Sequence, residues 1–429
     1  MLEGALVLLG LMLVLLAGMP IAFALGGIAW LGIWWPRNMT VANTITVNQI
    51  FDLAQTHTFT VLPLFILMGN LIARARISHD LYAASNAFMG HYRGGLAMAT
   101  IAACAGFSAV SGSSMATAST MSRVAMPPMR KLGYHDSLAA GSITAGGTLG
   151  ILIPPSVILL IYGILTSTNI GQLFIAGIVP GLLAVVGYLL AIVIVTRLNP
   201  AAGPAGPRTP WPERLRLLAG VGPVVVLFAL VLGGIYLGVF TPTEAAGIGA
   251  AGAFLFVLAR RRLSWTGLWD ILSESARTSA MMIALLFGAT LFNNFLDLLG
   301  FARALSDWLN ALDVSPFTVL MAMMVVYLVL GLFLESLSMM LLTIPIFFPI
   351  TQALGIDPIW FGILVVVAIE ISLITPPVGL NVFILKIMVR NISLVTIFRG
   401  ILPFFIADLV RLGLLLAFPA LVLFLPRMM

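Results

Sequence analysis

Apolar residues form long runs along almost the whole chain, and short polar or basic segments separate these runs. A membrane-spanning helix needs about 20 predominantly apolar residues, so the pattern predicts an all-α polytopic membrane protein with about ten or more membrane segments. Segments 41–56 and 263–277 are predicted to lie at the membrane interface, and 79–91 and 301–312 to connect other helices. The remaining uninterrupted helices are predicted at residues 2–17, 20–35, 58–76, 172–197, 217–239, 243–259, 278–298 and 396–425.

Two of the apolar runs contain adjacent prolines at a depth where a spanning helix should be continuous. The stretch SLITPPVGLN, residues 372–381, also carries glycine, threonine and asparagine, and LGILIPPS, residues 149–156, has the same proline pair. Proline removes a backbone donor and disrupts the helix before it. We therefore predict two discontinuous helices, at 136–167 and 358–390. Their freed carbonyls suit a small, hard cation, and their inner helix N-termini suit a carboxylate.

Two further segments are too polar in the middle to face lipid. AGFSAVSGSSMATAST, residues 105–120, lies between two apolar arms that are too short to cross separately. This pattern predicts a re-entrant helical hairpin at 94–125, because irregular backbone at membrane depth is tolerated only where protein or a cavity surrounds it. A second re-entrant hairpin is predicted at 316–350. Basic residues flank the base of the first hairpin only, so the two should open to opposite sides of the membrane.

The two halves of the chain share a proline pattern. Pro154-Pro155 matches Pro376-Pro377 at an offset of 222 positions, and Pro20 matches Pro242 at the same offset. The basic residues after the first hairpin have no counterpart after the second, which predicts that the halves form an inverted repeat. The first repeat is predicted at 1–197, with scaffold helices at 1–91, a cytoplasmic linker at 198–216, and the second repeat at 217–425, with scaffold helices at 217–298.

Composition supports a membrane protein and excludes several other classes. Hydrophobic residues make up 61% of the chain and charged residues 8%, whereas soluble domains carry about 25% charged residues. The net charge of +6 reflects basic residues that mark cytoplasmic segment ends rather than a nucleic-acid surface. The one cysteine, Cys104, excludes an intrachain disulfide, and the spacing of the four histidines predicts no metal site. The basic residues at segment ends are Arg74, Arg76, Arg130, Lys131, Arg214, Arg216, Arg260, Arg261, Arg262, Lys386 and Arg390.

Acidic residues in the apolar runs need individual explanations, because a buried charge is costly in a membrane. The motif TPTE, which ends at Glu244, predicts a capping box and therefore a structural role for this glutamate. Asp408 and Arg411 are spaced as a neutralised ion pair on one helix. Glu370 precedes the second proline pair and is predicted to support the site from behind. Glu335 has no basic partner and is the better candidate for a functional acid.

The hairpin tips and the proline breaks together predict two cation sites that flank one anion site. Small residues in membrane helices also serve close helix packing, which is the alternative for each feature taken singly. The first cation site is predicted at Ser111, Gly112, Ser113 and Ser114, with carbonyls near Gly150 and Ile153. The second cation site is predicted at Ser336, Ser338, Thr375 and Gly379. Substrate contacts are predicted at Ser156, Pro155, Pro376, Pro377, Asn381 and Glu335.

Five motifs resemble the large membrane (permease) subunit of tripartite ATP-independent periplasmic (TRAP) transporters: SGSSMATAS, GTLGILIPPSVILLIYGILT, IAGIVPGLL, TPTEAAGIGA and TPPVGLNVFILK. The resemblance extends over essentially the whole chain. It implies an ion-transporter-superfamily fold, in which a scaffold holds an elevator-type transport domain made of the two hairpins and the two discontinuous helices. It also implies uptake of an organic acid, such as a C4-dicarboxylate or a sugar acid, with Na+ as the coupling ion and no other cofactor.

The resemblance implies partners and a location as well. A soluble periplasmic binding protein would deliver the substrate. Because no extension precedes Met1, the small four-helix membrane subunit of the family is expected as a separate chain. The complex would lie in the bacterial inner membrane.

Other functions remain as alternatives. A stand-alone Na+/dicarboxylate symporter of the same superfamily would need no partner. An intramembrane enzyme would require a nucleophile–base pair or a motif such as H-E-x-x-H, which the sequence lacks, and a passive channel would conduct faster than a carrier. Arg123, on the outgoing arm of the first hairpin, is a candidate partner for a substrate carboxylate, although a cytoplasmic arginine that snorkels to the interface explains it better.

Overall fold

The computed structural model describes residues 2–75, 77–261, 263–301, 303–305, 307 and 314–429. Within these residues the chain consists of α-helices and short 3-10 helices joined by turns, and it has no β-strand. The all-α fold class that the sequence predicts is confirmed. The predicted connector at 301–312 lies mostly outside the described residues, as do the basic residues Arg76 and Arg262.

Nineteen α-helices can be assigned in the described residues, and four short 3-10 helices accompany them. In the first half they are α1 Leu2–Leu16, α2 Ile21–Trp34, α3 Met39–Gln55, α4 Val61–Arg74, α5 Ile77–Met89, α6 Gly95–Ser111, α7 Ser114–Lys131, α8 Asp136–Thr148, α9 Val157–Thr166 and α10 Ile170–Leu198. In the second half they are α11 Trp211–Tyr236, α12 Pro242–Ala259, α13 Trp265–Leu298, α14 Pro316–Leu330, α15 Ser336–Ala353, α16 Pro358–Ser372, α17 Leu380–Met388, α18 Leu394–Ala417 and α19 Ala420–Leu423. The 3-10 helices are His57–Thr60, Leu149–Ile151, Pro200–Ala202 and Pro426–Met428.

Several helices begin at a polar residue whose side chain accepts a hydrogen bond from the first turn, as N-caps do. Asp357 accepts from the backbone N–H groups of Ile359 at 2.9 Å and Trp360 at 3.1 Å. Before α12, the Glu244 carboxylate accepts from the Thr241 N–H at 2.8 Å, and the Thr241 hydroxyl accepts from the Glu244 N–H at 3.3 Å. The predicted capping box and the structural role of Glu244 are confirmed.

Fewer helices are long enough to span a membrane than the apolar pattern predicts. Six of the described helices, α10, α11, α12, α13, α15 and α18, are long and apolar enough to cross a bilayer. A seventh span results if α4 and α5 count as one bent segment. Other apolar helices have only 10–17 residues, because hairpin turns and proline breaks divide the apolar runs. The prediction of about ten or more segments therefore overcounts full-length spans.

Three predicted boundaries in the second half were wrong, and the first is the end of the linker, because α11 begins at Trp211 rather than at residue 217. Residues 265–298, from the two predicted segments 263–277 and 278–298, form one helix of 34 residues, α13, because no proline or glycine lies where the boundary was predicted. The last predicted helix, 396–425, ends earlier, at Ala417, and the short α19 follows. Pro419 lies between the two and cannot continue the hydrogen bonding of α18.

The helices that precede the two proline breaks, α8 and α16, form the centre of the fold. Every residue from Leu138 to Thr148 in α8 and from Phe361 to Ser372 in α16 is buried. α8 packs against α6, α7 and α18, whereas α16 packs against α10, α14 and α18. The approach of α8 to α18 is close, since a Cβ added to Gly141 would lie 2.1 Å from the Gly400 carbonyl oxygen. Both breaks therefore lie at the ends of enclosed helices.

A second group of helices packs around α13 and α12. α2 and α4 contact α13, α4 also contacts α12, and α11 contacts both α5 and α12. This group meets the helices that surround α8 and α16 at two places, where α4 packs on α6 and where α11 packs on α10. The contact of α4 with α6 brings α4 and α13 near the turn of the first hairpin.

Candidate functional site

The first proline break separates α8 from α9. α8 ends at Thr148, a 3-10 turn covers Leu149–Ile151, and α9 begins at Val157. The Pro154-Pro155 peptide bond is cis, and both prolines are buried. Because neither proline has a backbone N–H, carbonyl groups of the preceding helix end lack their usual helical partners.

The first hairpin consists of α6 and α7, which meet at a two-residue turn. Gly112 has a φ of +57°, the left-handed conformation that glycine adopts readily, and Ser113 caps α7. The hydroxyl oxygens of Ser111 and Thr117 lie 2.9 Å apart, and the Thr117 hydroxyl donates to the Ser113 carbonyl at 2.9 Å. Ser114, the first residue of α7, is buried. The turn thus concentrates hydroxyl and carbonyl oxygens.

The turn of the first hairpin lies directly against the first break. A Cβ added to Gly150 would lie 2.5 Å from the Ser113 carbonyl oxygen. A Cβ added to Gly112 would lie 3.0 Å from the Pro155 carbonyl oxygen. The structure therefore brings the predicted hairpin residues together with Gly150 and Pro155, as a shared site requires.

Two other residues predicted at the first break make structural contacts. The Ser156 hydroxyl caps α9 by accepting from the Leu159 N–H at 3.3 Å, and it donates to the Ile151 carbonyl. Ser156 is buried, so the structure gives it a structural role at the position where the sequence predicts a substrate contact. Ile153 packs its side chain against Gly181 of α10.

The second hairpin consists of α14 and α15, which are joined by a turn at residues 331–335. Glu335 is half-buried, accepts a hydrogen bond from the Ser338 hydroxyl at 3.2 Å, and forms no salt bridge within the described part of the chain. Ser336 and Ser338 are buried. A Cβ added to Gly331 would lie 1.9 Å from the Ser372 hydroxyl oxygen. This turn therefore begins in contact with the end of α16, next to the second break.

The second proline break separates α16 from α17. α16 ends at Ser372, and α17 begins at Leu380. The Thr375 hydroxyl donates to a carbonyl in the last turn of α16 at 2.7 Å, and Gly379 has a φ of +59°. Pro376-Pro377 is also a cis peptide, but both prolines are exposed, in contrast to the buried pair of the first break.

Asn381, the second residue of α17, is buried and has no exposed surface. Its backbone N–H donates to the Leu373 carbonyl at 3.2 Å, and its side-chain Nδ2 lies 3.5 Å from the Thr144 carbonyl oxygen of α8. Its Oδ1 has no hydrogen-bond partner among the described residues. A buried amide oxygen without a donor is a suitable ligand for a cation.

Each discontinuous helix also contacts the hairpin of the other half. α17 packs against α7 of the first hairpin, and α9 packs against α15 of the second. Together with the contact between Asn381 and Thr144, this arrangement makes the two breaks and the two hairpins one connected cluster of helices.

A cavity of about 220 Å³ lies between the turn of the first hairpin and helices α4 and α13. Four predicted residues line it, namely Ser111, Gly112, Ser113 and Pro155. A larger cavity, of about 660 Å³, lies at the other end of α9, where it reaches α3, α12 and the outgoing arm of the second hairpin. The polar residues that face the smaller cavity from α4 and α13 are Asn70, Glu274 and Thr278.

Sequence reasoning missed these three residues of the smaller cavity, as it missed Thr117. The Asn70 amide donates to the Ser275 hydroxyl at 2.9 Å, which fixes its position between α4 and α13. The only sequence signal for Asn70 is a polar residue within an apolar helix, and that signal does not tell which side of the helix faces a cavity.

The acidic and basic residues within the apolar runs are paired as follows. Asp408 Oδ1 lies 3.0 Å from Arg411 Nη2, so the predicted ion pair is present. Glu370 Oε2 lies 2.8 Å from the same nitrogen and is a direct partner of Arg411. Arg123 is exposed, and its guanidinium lies 3.7 Å from the Met388 sulfur. This position agrees with an arginine that snorkels to the interface.

A helical membrane protein in which two proline-interrupted helices each meet a hairpin turn has the architecture of a secondary transporter. The chain belongs to the family described as "Tripartite ATP-independent periplasmic transporter, DctM component", whose sequence model matches residues 8–421. The family membership that the motifs predict is confirmed. The chain is therefore a multi-pass membrane protein of a transporter family.

Relatives with different stated substrates match most of the chain. It is 38% identical to the C4-dicarboxylate TRAP transporter large permease protein DctM of Pseudomonas aeruginosa, over 88% of each chain. It is 32% identical to the sialic acid TRAP transporter large permease protein SiaM of Vibrio cholerae and 30% identical to the ectoine TRAP transporter large permease protein TeaC of Halomonas elongata, over 96% of each chain in both cases. These relatives are permeases, which supports a non-enzymatic protein at the level of the family.

Similarity to one solved structure supports the fold only. The YdaH transporter of Alcanivorax borkumensis matches with a TM-score of 0.64 and 17% sequence identity, and the match covers 89% of this chain and 88% of that chain.

Proposed function

We propose that this chain is the large permease subunit of a Na+-coupled organic-acid transporter. One observation carries the proposal: each hairpin turn contacts the helix end beside a proline break, with Gly150 against Ser113 in one case and Gly331 against Ser372 in the other. Such breaks supply backbone carbonyls to cations and helix N-termini to anions. The family name describes the transporters as tripartite. We therefore propose a small four-helix membrane subunit and a periplasmic binding protein as partners in the inner membrane.

Oxygen atoms of the two breaks would hold the Na+ ions. In the first site these are the hydroxyl and carbonyl oxygens of Ser111 and Ser113, which Thr117 supports, together with backbone near Gly150. In the second site they include the unpartnered Oδ1 of Asn381, a residue for which the sequence predicts a substrate contact instead. Hydroxyl, amide and carbonyl oxygens without a full negative charge suit a monovalent cation better than a divalent one.

The transport cycle proposed here is of the elevator type, within an inverted repeat. The two hairpins and the two discontinuous helices would move as one body, because α17 packs against α7 and α9 packs against α15. Helices α4 and α13 would belong to the scaffold along which this body slides, with the smaller cavity between them. Each net positive charge that enters contributes about 2.3 kcal/mol per 100 mV of membrane potential. Two Na+ ions taken up with a monovalent anion would therefore be driven by both the potential and the Na+ gradient, whereas two Na+ ions taken up with a dicarboxylate carry no net charge and would be driven by the Na+ gradient alone.

Uptake into proteoliposomes tests the proposal. The chain would be reconstituted with and without a small membrane subunit and a periplasmic binding protein from the same organism, with succinate, sialic acid and ectoine as labelled probes. We expect uptake of at least one probe only when Na+ and all three proteins are present. Uptake by the chain alone would favour the stand-alone Na+/dicarboxylate symporter, and conductance above carrier rates in planar bilayers would favour a channel.

Single substitutions at the breaks should change the Na+ dependence of this uptake. Ser113→Ala, Thr375→Ala and Asn381→Ala each remove one polar contact, worth about 0.5–1.5 kcal/mol. We expect the Na+ concentration for half-maximal uptake to rise about two- to tenfold. Ser279→Ala is the matched control, because the Ser279 hydroxyl donates to its own helix in α13, at 2.7 Å to the Ser275 carbonyl. An unchanged Na+ dependence in all three variants would contradict the site assignment.

A further inference from the structure

Five buried side chains from four helices form a closed ring behind the two proline breaks. They are Thr148 on α8, Tyr188 on α10, Glu370 on α16, and Asp408 and Arg411 on α18, and each is at most 3% exposed. Glu370 and Asp408 both contact Arg411 Nη2, at 2.8 Å and 3.0 Å. The ring closes through oxygen–oxygen distances of 3.0 Å from Glu370 to Thr148, 3.2 Å from Thr148 to Tyr188 and 2.7 Å from Tyr188 to Asp408.

The formal charges of the ring do not balance if both carboxyl groups are ionised. Two carboxylates and one guanidinium leave one negative charge in excess, and a buried unpaired charge is costly. Arg411 does not compensate through a bidentate contact, because its Nε and Nη1 have no hydrogen-bond partner among the described residues. One bound proton would make the ring neutral.

A count of the hydrogen atoms available for hydrogen bonds in the ring also indicates one bound proton. Each of the three oxygen–oxygen contacts needs one hydrogen, and the hydroxyls of Thr148 and Tyr188 supply only two. The third hydrogen has to come from a carboxyl group, that of Glu370 or that of Asp408. The Thr148 hydroxyl also lies 2.7 Å from the Ala145 carbonyl, so its one hydrogen has an acceptor outside the ring as well as acceptors within it.

We propose that Glu370 and Asp408 together bind one proton. With the proton on Glu370, the hydrogen bonds run from Glu370 through Thr148 and Tyr188 to Asp408, and with the proton on Asp408 they run in the opposite direction. Proton transfer through the Thr148 and Tyr188 hydroxyls interconverts these two states without displacement of any heavy atom. The proton is therefore shared by the Glu370 and Asp408 carboxyl groups. The charged and titratable groups of the ring are Glu370 on α16, Asp408 and Arg411 on α18, and Tyr188 on α10, while α8 contributes the Thr148 hydroxyl.

The ring that binds the proton lies next to the helix ends of both breaks. Thr148 lies two residues before Gly150, and Glu370 lies two residues before Ser372. Thr148 and Glu370 are 222 positions apart, the same offset that relates the two proline pairs. The proton would therefore be bound within two residues of the helix ends at both breaks, whether or not Na+ drives transport.

Infrared spectroscopy detects a protonated carboxyl group through its C=O stretching band. The full chain would be measured in lipid nanodiscs at neutral pH, with any membrane subunit that co-purifies. We expect the band in the wild type and its loss in both Glu370→Gln and Asp408→Asn. Each amide removes one negative charge and donates the third hydrogen bond itself, so these variants should keep the melting temperature of the wild type. The double variant leaves Arg411 as an unpaired charge and should melt at a lower temperature.

The control is Glu335→Gln, which changes an acid outside the ring. Loss of the band in only one ring variant still supports a bound proton and assigns it to that carboxyl group. Absence of the band in the wild type, or its persistence in both ring variants, overturns the proposal. If the ring variants do not fold, Tyr188→Phe and Thr148→Val keep both acids. A frequency shift of the band in either of these then supports the proposal, and no shift in both overturns it.

Discussion

Replacement of Arg411 by methionine is expected to destabilise the protein more than any other single change of a charged residue discussed above. Arg411 is 3% exposed and is the shared partner of Glu370 and Asp408. Its removal leaves an uncompensated negative charge in the buried centre of the fold, which costs about 3–5 kcal/mol. We expect Arg411→Met to express poorly and to melt well below the wild type, as measured by fluorescence-detected size-exclusion chromatography after heating.

The control for this prediction lies on the same helix. Arg399 of α18 is exposed, so Arg399→Met removes a positive charge of equal size without exposing a buried partner and should melt like the wild type. Addition of Asp408→Asn to Arg411→Met leaves Glu370 as the only acid, which can stay protonated, and should recover part of the loss. If Arg411→Met melts together with Arg399→Met, the buried ion pairs do not stabilise the fold.

The features that could be predicted from the sequence are those caused by local backbone chemistry. Both proline pairs interrupt a helix because neither proline offers an N–H, whatever the neighbouring helices are. Gly112 ends α6 because its left-handed φ allows the turn, and Thr241 with Glu244 starts α12 because the two residues cap each other. These signals lie within a few residues of one another, so the sequence alone contains them.

The parts of the site that could not be predicted depend on which helix faces which. The bond between Thr148 and Glu370 joins residues 222 positions apart, and Asn70 faces the smaller cavity only because α4 packs on α6 and α13. A polar residue in an apolar helix can face a neighbouring helix, a cavity or lipid, and the helical period does not distinguish between them. For the same reason, the continuity of α13 through Arg277 was not predicted, because a polar stretch next to basic residues is also typical of an interfacial segment.

The exposure of the two breaks differs although their sequences are alike. Pro154 and Pro155 are buried beside the first hairpin, whereas Pro376 and Pro377 are exposed. The prolines therefore determine where the helices end, whereas the packing of the surrounding helices determines which break is buried. In the transport cycle proposed above, movement of the hairpins and the discontinuous helices relative to the scaffold would change how far scaffold helices such as α4 cover each break, so the two breaks would differ in their exposure to solvent at any one time.

The second large effect is expected from a single methyl group at Gly150. A Cβ there would lie 2.5 Å from the Ser113 carbonyl oxygen, 2.6 Å from the Ser113 carbonyl carbon and 2.8 Å from the Ser114 nitrogen. All three are backbone atoms, which cannot rotate away as a flexible side chain could. The hairpin turn and the break have to separate, and relief of such overlap costs about 1–3 kcal/mol. Because the first proposed Na+ site is formed by this contact, Gly150→Ala should reduce Na+-driven uptake about tenfold or more.

The readout that distinguishes a lost site from a poorly folded protein is the Na+ dependence. Gly413→Ala on α18 is the control, since a Cβ at Gly413 meets no atom within 4 Å, and it should leave both uptake and Na+ dependence unchanged. Gly150→Ala should require more Na+ for half-maximal uptake at any expression level, because fewer oxygens remain in place around the ion. If Gly150→Ala takes up substrate with the Na+ dependence of Gly413→Ala, the contact between the hairpin turn and the first break does not form a Na+ site.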